Sequence, residues 1–426
     1  MARHENGRAD KPYFFLSYAR TPRLDENDHS DPDMWVHKLH QDLCKNILGM
    51  TALRPGSVGF IDRNNRSGVR WPGELAEALA TCRVFVPLYS PRYFESKDCG
   101  MEWFAFARRQ VNSRDQGRAS VDAIVPALWS PVRAEILPDV AQDIQYEDPS
   151  FGPRYATHGF FGLIKLTRYR EDYEVAVYEL ARRIVNVAQR TQVAPEPPSV
   201  YASLENAFAR GRSDRQARRH LRITVLALDH STLPDGRARD YYGESPRLWN
   251  PYHPASRQPL ADYAADLTTC IGCQPTIGTF EEHAAQWVNS DRPIPGLCLI
   301  DPWATASAAC TDKFQRLDGL KPSWVSVLVP WNNQDPELSA AEQALRKSLG
   351  LSLNRKLASV PQRCRMAADG IPTLREFSEI LPQMTRIMLK RFRKDKHTPA
   401  HPPGGSHVER PRLRRVDPAD SGEHDG

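Results

Sequence analysis

The chain is predicted to be an α/β protein of two successive units, each built in three layers around a central parallel sheet. Three observations carry this: short continuous apolar runs alternate with helical patterns, a proline cluster interrupts that pattern near residue 195, and the same alternation then resumes. In the first unit the apolar runs 13–17, 57–61, 84–89 and 124–128 read as strands buried on both faces, and 162–166 reads as a fifth. Helical patterns occupy 34–48, 73–80, 99–111 and 173–188. Strand followed by helix, repeated, implies parallel strands joined by right-handed crossovers.

The prolines of Ala194-Pro-Glu-Pro-Pro-Ser199 cannot continue a helix and mark a boundary. Beyond them, 200–210 allows a short helix within what otherwise reads as a linker. The second unit has strands at 223–228, 274–278, 296–300 and 324–329, and helices at 260–269, 281–289, 338–349 and 373–391. The strand starts at 13 and 223 lie about 210 residues apart, as an old duplication would leave them. The expected division is a disordered 1–10, a first domain 11–190, a linker 191–220, a second domain 221–395 and a disordered tail 396–426.

Composition bounds the function classes. The 426 residues are 40% hydrophobic and 26% charged, as in soluble globular proteins. No apolar run approaches the ~20 residues of a membrane span, and the polar N-terminus is no secretory signal, so a cytoplasmic protein without a membrane partner is expected. With 57 basic against 52 acidic residues the net charge is only +5. The basic runs at 210–220 and 390–396 lack interleaved aromatics, which disfavours nucleic acid as a partner. The eight cysteines are scattered, and Cys270-x-x-Cys273 lacks the second pair that a zinc site needs; no metal site is expected.

In an open parallel sheet, ligands meet the residues that follow the strands. Here these are Tyr18, Ala19 and Arg20, then Asp62 and Arg63, then the stretch from Ser90 to Glu102. Arg20 suits a phosphate and Asp62 suits hydroxyl groups. Glu102 stands out: with Ser96 or Asp98 as N-cap it lies early in a helix, where the dipole favours an ionised carboxylate.

The order of these features resembles the TIR domain over about residues 10–165. Tyr13-Phe-Phe-Leu-Ser17-Tyr18 looks like its first-strand box, and Phe60-Ile-Asp62 through Gly68-Val-Arg-Trp71-Pro72 looks like its second strand and the loop after it. Cys82-Arg-Val-Phe-Val-Pro-Leu-Tyr-Ser90 followed by Ser96-Lys-Asp98-Cys-Gly-Met-Glu102 is similar to its Ser, Cys, Glu helix, and Val125-Pro-Ala-Leu-Trp129 resembles its fourth strand. The whole chain, a TIR-like half and a second α/β half, is similar to the bacterial FxsC proteins, associated by name with FxSxx-COOH peptides.

The resemblance implies tandem flavodoxin-like, TIR-type domains. It also implies that Glu102 supports cleavage of the nicotinamide–ribose bond of NAD⁺, which would be a substrate; no cofactor is implied. Ser17, Tyr18, Arg20, Asp62, Trp71, Asp98 and Trp103 would surround that substrate, and self-association with other TIR domains would run through the loop from Asp62 to Pro72. Where many catalytic members carry an aromatic one turn before the glutamate, this chain has Asp98, which cannot stack and would raise the pKa of Glu102. Trp103 points about 100° away round the helix, an imperfect substitute, and Gly100 is expected to weaken that helix by about 1 kcal/mol.

In the second unit the equivalent of Glu102 is Arg316, with Asp318 the nearest acid. Asp229, Asp301 and Asp335 follow strands and could line a crevice, though acids at strand ends are common in loops, and this half reads as a degenerate TIR-like copy used for contact or regulation. The aromatic insertion 240–252 suits either a partner surface or a lid. Two readings follow: an NAD⁺-cleaving signalling protein, or a non-catalytic assembly module with an unknown protein or peptide partner. Nucleotide binding without turnover is disfavoured because no glycine-rich phosphate loop occurs.

Overall fold

A computed structural model describes residues 11–397 except 24, 26–29, 63–72, 119–121, 147, 192, 200–203, 210–218 and 290–292. The expected disorder at 1–10, most of the basic run 210–220 and the tail beyond 397 lie outside the described residues.

Two four-stranded parallel sheets, each flanked by helices, form the framework. The first contains β1 (Phe14–Ser17), β2 (Gly59–Ile61), β3 (Val84–Tyr89) and β4 (Ala127–Leu128) in the order β2-β1-β3-β4. All residues of β1 and β3 are buried, which is why these strands read as unbroken apolar runs. The register pairs Phe14 with Gly59 on one side and with Val84 on the other. Around this sheet lie α1 (Met34–Met50), α2 (Gly73–Thr81), α3 (Pro91–Glu95), α4 (Lys97–Asp115), α5 (Asp139–Gln142), α6 (Pro153–Lys165) and α7 (Arg170–Arg190).

The expected fifth strand at 162–166 is instead the end of helix α6 and the residue capping it. Its apolar run has a helical period: Phe160 and Leu163 are buried three residues apart, facing the sheet and α7. Gly159 turns the chain with φ of 60°, and a Cβ there would come within 2.5 Å of the Trp129 carbonyl oxygen. A short apolar run does not separate a buried strand from a buried helix, and the neighbouring glycine here serves a kink.

The second sheet repeats the order as β6-β5-β7-β8, with β5 (Arg219–Leu226), β6 (Cys273–Thr279), β7 (Gly296–Ile300) and β8 (Val325–Leu328). Its helices are α8 (Leu260–Thr269), α9 (Phe280–Asn289), α10 (Pro302–Ala306), α11 (Thr311–Gly319), α12 (Pro336–Ala340), α13 (Glu342–Ser352), α14 (Asn354–Ala358), α15 (Met366–Asp369) and α16 (Leu374–His397). The single helix expected over 338–349 is thus two, broken at Ala341.

Helix α4 is buried on nearly every side because both halves use it. Trp103 and Phe106 pack on Phe85 of the first sheet, and Phe208 lies against Trp103, Tyr93 and Phe94. Near its C-terminal end, Asn112 accepts a hydrogen bond of 2.6 Å from Tyr263 of α8, and Asp115 accepts from Ser256 Oγ at 2.8 Å and from the backbone N–H groups of Arg257 and Gln258 at 3.2 Å each. The described part of the expected short helix at 200–210, residues 204–209, is not helical; it lies on α4, with Ala207 N–H bonded to the Gly100 carbonyl at 3.0 Å.

Gly100 therefore has a packing reason that outweighs its helix cost. A Cβ at this position would clash with Asn206 Oδ1, an atom fixed by its hydrogen bond from Phe208 N–H at 2.8 Å. Gly100→Ala is expected to destabilise the protein by about 1–3 kcal/mol despite alanine's better helix propensity. Chemical denaturation would show it, and Asn206→Ala in the same chain should recover most of the loss.

Candidate functional site

The carboxyl ends of β1, β2 and β3 meet at a cleft of about 370 Å³. Ser17 closes β1, and Tyr18, Ala19 and Arg20 follow it into the cleft wall; Asp62 follows β2. After β3, the Ser90 hydroxyl caps α3 by accepting from Tyr93 N–H at 3.1 Å, and Ser96 caps α4 by accepting from Cys99 N–H at 3.2 Å. Ser96, not Asp98, is thus the N-cap. These two caps turn the chain twice and leave Asp98, Cys99 and Glu102 along the cleft.

Glu102 is 7% exposed and is gripped from behind. Ser17 Oγ donates to Glu102 Oε2 at 2.5 Å, and Tyr93 Oη lies 3.0 Å from Ser17 Oγ, so the tyrosine hydroxyl donates to the serine that donates to the glutamate. Burial pushes the Glu102 carboxyl up to about 8; the Ser17 hydrogen bond and Arg20 oppose this, while Asp62 and Asp98 add to it by repulsion. The expectation that the helix dipole holds this group ionised is corrected here. Loss of hydration on burial is the larger effect, because the dipole's contribution is only about 0.3–1 kcal/mol.

Arg20 and Asp62 face each other across the mouth, with Arg20 Nη2 3.6 Å from Asp62 Oδ2 and 3.4 Å from the Asp62 carbonyl oxygen, which also accepts from Tyr18 Oη at 3.2 Å. The Arg20 side chain is 40% exposed, so its charge is available to a ligand. A wider opening of about 690 Å³ adjoins this cleft, shares Ala19, Arg92 and Glu95 with it, and brings Trp35 and Trp129 to its wall.

Of the residues singled out from sequence, Tyr18, Arg20, Asp62, Asp98 and Glu102 line the cleft, and Ser17 lies directly behind it. Trp103 does not belong with them. It is 1% exposed in the aromatic core between Phe85, Tyr89 and Phe208, because the next position on a helix faces away from the cleft. Trp71 and the loop after Asp62 fall outside the described residues. Within the stretch from Ser90 to Glu102 that was expected at the crevice, Arg92, Glu95 and Cys99 line the cleft and Tyr93 bonds to Ser17, roles that sequence reasoning did not assign. Only Tyr93 left a signal, as an aromatic three residues after a serine cap, where the first turn of a helix must fold back on its strand.

The matching corner of the second half is filled by its own side chains. Arg237 donates to both carboxylate oxygens of Asp335, at 3.0 and 2.7 Å, and to Glu337 at 2.8 Å. Its guanidinium lies over the rings of Tyr241, Tyr242 and Trp303. Asp301 is buried as the cap of α10 and accepts from Leu228 and Trp303 N–H groups; burial pushes its carboxyl up to about 6. Asp229 closes a local turn with Ser231 and Thr232. These acids are thus engaged by caps, turns and an ion pair of the fold, as acids at strand ends commonly are. In the 240–252 insertion Tyr242, Trp249 and Tyr252 are buried, so these aromatics fold back onto the protein, while Leu248 is exposed. Arg316 sits exposed on α11.

Among the described residues, no group of three or more His, Cys, Asp or Glu could hold a metal ion, and no helix is long and apolar enough to cross a membrane. The family described as TIR domain matches residues 14–160, the stretch that holds the first sheet and the Glu102 cleft. No curated protein matches the chain. TIR domains typically associate with themselves or with other TIR domains, and they serve signalling or NAD-related functions.

Proposed function

We propose that the Glu102 cleft cleaves the bond between nicotinamide and ribose in NAD⁺, making this a signalling protein with nucleosidase activity. The observation that carries the reading is a carboxylate, held by the Tyr93–Ser17 relay, at the strand ends of a TIR domain and opening onto a cavity. When the glycosidic bond breaks, its electron pair goes to the nicotinamide nitrogen and positive charge develops on the ribose. An ionised Glu102 stabilises that charge and holds ribose hydroxyls. Water or an internal nucleophile then attacks the anomeric carbon, giving hydrolysis or cyclisation. Arg20 binds a phosphate oxygen, Asp62 shapes the mouth, and the adjoining opening with Trp35 and Trp129 supplies aromatic faces that position 98 lacks.

The carboxyl must lose its proton before it can act, and the cationic nicotinamide ring favours that loss. Self-association through the loop beginning at Asp62 completes the site, so activity is expected at high protein concentration. Incubation of the purified chain with NAD⁺ under such conditions, following nicotinamide release beside Glu102→Ala, tests the reading; equal release from both proteins would overturn it.

A second reading rests on Asp98, which stands where a stacking aromatic is expected. In that reading the chain is a cytoplasmic, non-catalytic assembly module of a bacterial peptide-associated pathway, of the FxsC and FxSxx-COOH kind. Partner binding that survives Glu102→Ala and fails on changing Trp71 or Pro72 would support it.

A further inference from the structure

We propose that the gap between the two α/β halves is a binding site for a phosphorylated sugar, with the phosphate held by Arg108 and the first turn of α16. The gap is a cavity of about 290 Å³ whose wall combines Arg108 and Asn112 of α4, Glu196 and Ser199 of the connecting segment, Tyr263 of α8, and the start of α16 from Thr373 to Glu379.

Arg108 is the reason to expect an anion. It is 4% exposed and lies over the Phe104 ring, yet it forms no ion pair among the described residues. Its Nη2 donates to Ser199 Oγ at 2.6 Å, which places the guanidinium at the cavity wall, while Nε and Nη1 are buried without partners. Its neighbour Arg109, 2% exposed and likewise without an ion pair among the described residues, differs in degree: it donates to the Leu79 and Cys82 carbonyls where α2 ends and leaves only Nε without a partner. A buried guanidinium with two idle nitrogens is costly unless a negative group meets it.

The rest of the wall specifies which anion. At the start of the 24-residue α16, Thr373 Oγ1 accepts from Glu376 N–H at 3.2 Å, and the dipole of the leading N–H groups favours phosphate. Arg375 stands at the rim with its side chain 59% exposed and its Nε 3.5 Å from Glu379 Oε1, an exposed pair weak enough for a phosphate to compete for the guanidinium. Asn112, which donates to Glu196 at 2.8 Å, Ser378, which donates to the Arg375 carbonyl at 2.7 Å, and Glu379 leave acceptor oxygens on the wall, which suit the hydroxyls of a sugar rather than a second phosphate or an apolar body. The volume admits a pentose or hexose phosphate, free or as part of a nucleoside monophosphate.

Because α4 carries Glu102 near one end and Arg108 and Asn112 further along, an occupant here grips the helix that holds the cleft carboxylate. The binding itself does not depend on any chemistry at Glu102.

Isothermal titration of the full chain with ribose 5-phosphate, AMP and inorganic phosphate tests this. Saturable binding of ribose 5-phosphate, AMP or both is expected, at sub-millimolar to millimolar Kd and tighter than inorganic phosphate; the better of the two shows whether the sugar phosphate is free or carried by a nucleoside. Arg108→Gln should weaken binding about tenfold or more, and the exposed Arg375→Ala, which cannot disturb folding, about threefold or more. Absence of saturable binding by all three probes would mean a water-filled gap and would overturn the proposal, as would binding that Arg375→Ala leaves unchanged.

Discussion

Glu102→Gln is expected to lower nicotinamide release by about a hundredfold or more while making the protein more stable at alkaline pH. The two effects have one cause. The carboxyl is held in a place that suits its charged form only when a developing cation is present; in the empty cleft, burial favours the protonated form up to about pH 8. A raised acid binds its proton more tightly folded than unfolded. Between its ordinary value of 4.5 and about 8, stability contributed by this group therefore falls as pH rises. Glutamine keeps the shape, can accept from Ser17, and has no charge to desolvate. The stability gap between variant and wild type should be near zero at pH 5 and grow to about 2–4 kcal/mol by pH 9. Denaturation of both proteins across that range checks it; a gap that is flat with pH would show that Glu102 is not the buried, raised group described.

Asp335→Ala is expected to cost about 3–5 kcal/mol, the largest single loss of stability in the second half. It strips both carboxylate oxygens from a guanidinium whose side chain is 3% exposed, leaving only Glu337 at the margin. It also removes the cap of α12, which accepts from Glu337 and Leu338 N–H groups at 3.1 Å each. Arg237→Met combined with Asp335→Leu should be much less harmful than the single change, because no charge is then left unpaired. Thermal unfolding of the three proteins makes the comparison. A mild loss in Asp335→Ala would mean that water reaches this corner and that a ligand could too.

How far the sequence could be read depends on where each signal is written. β1 and β3 were legible because a strand buried on both faces must be apolar throughout, and the repeated strand–helix order carried the fold class of both halves. Helix α6 was not, since the few apolar residues of its last turns fit either period and only packing on α7 decides. Glu102, Tyr18, Arg20 and Asp62 were legible because strand ends in a parallel sheet converge by topology. Trp103 was misplaced because adjacency along a helix is separation around it. The roles of Gly100, Tyr93 and Arg237 depend on contacts with residues far along the chain, Asn206, Ser17 and Asp335, which local pattern does not record.

The pH profile of kcat/KM for nicotinamide release tests the central claim most directly, since it reports groups in the free protein. If ionised Glu102 does the chemistry, the rate should rise about tenfold per pH unit below 8, level off above it, and lose that rise in the residual activity of Glu102→Gln. A profile that is flat from pH 6 to 9, or one whose rise persists in the glutamine variant, would contradict it.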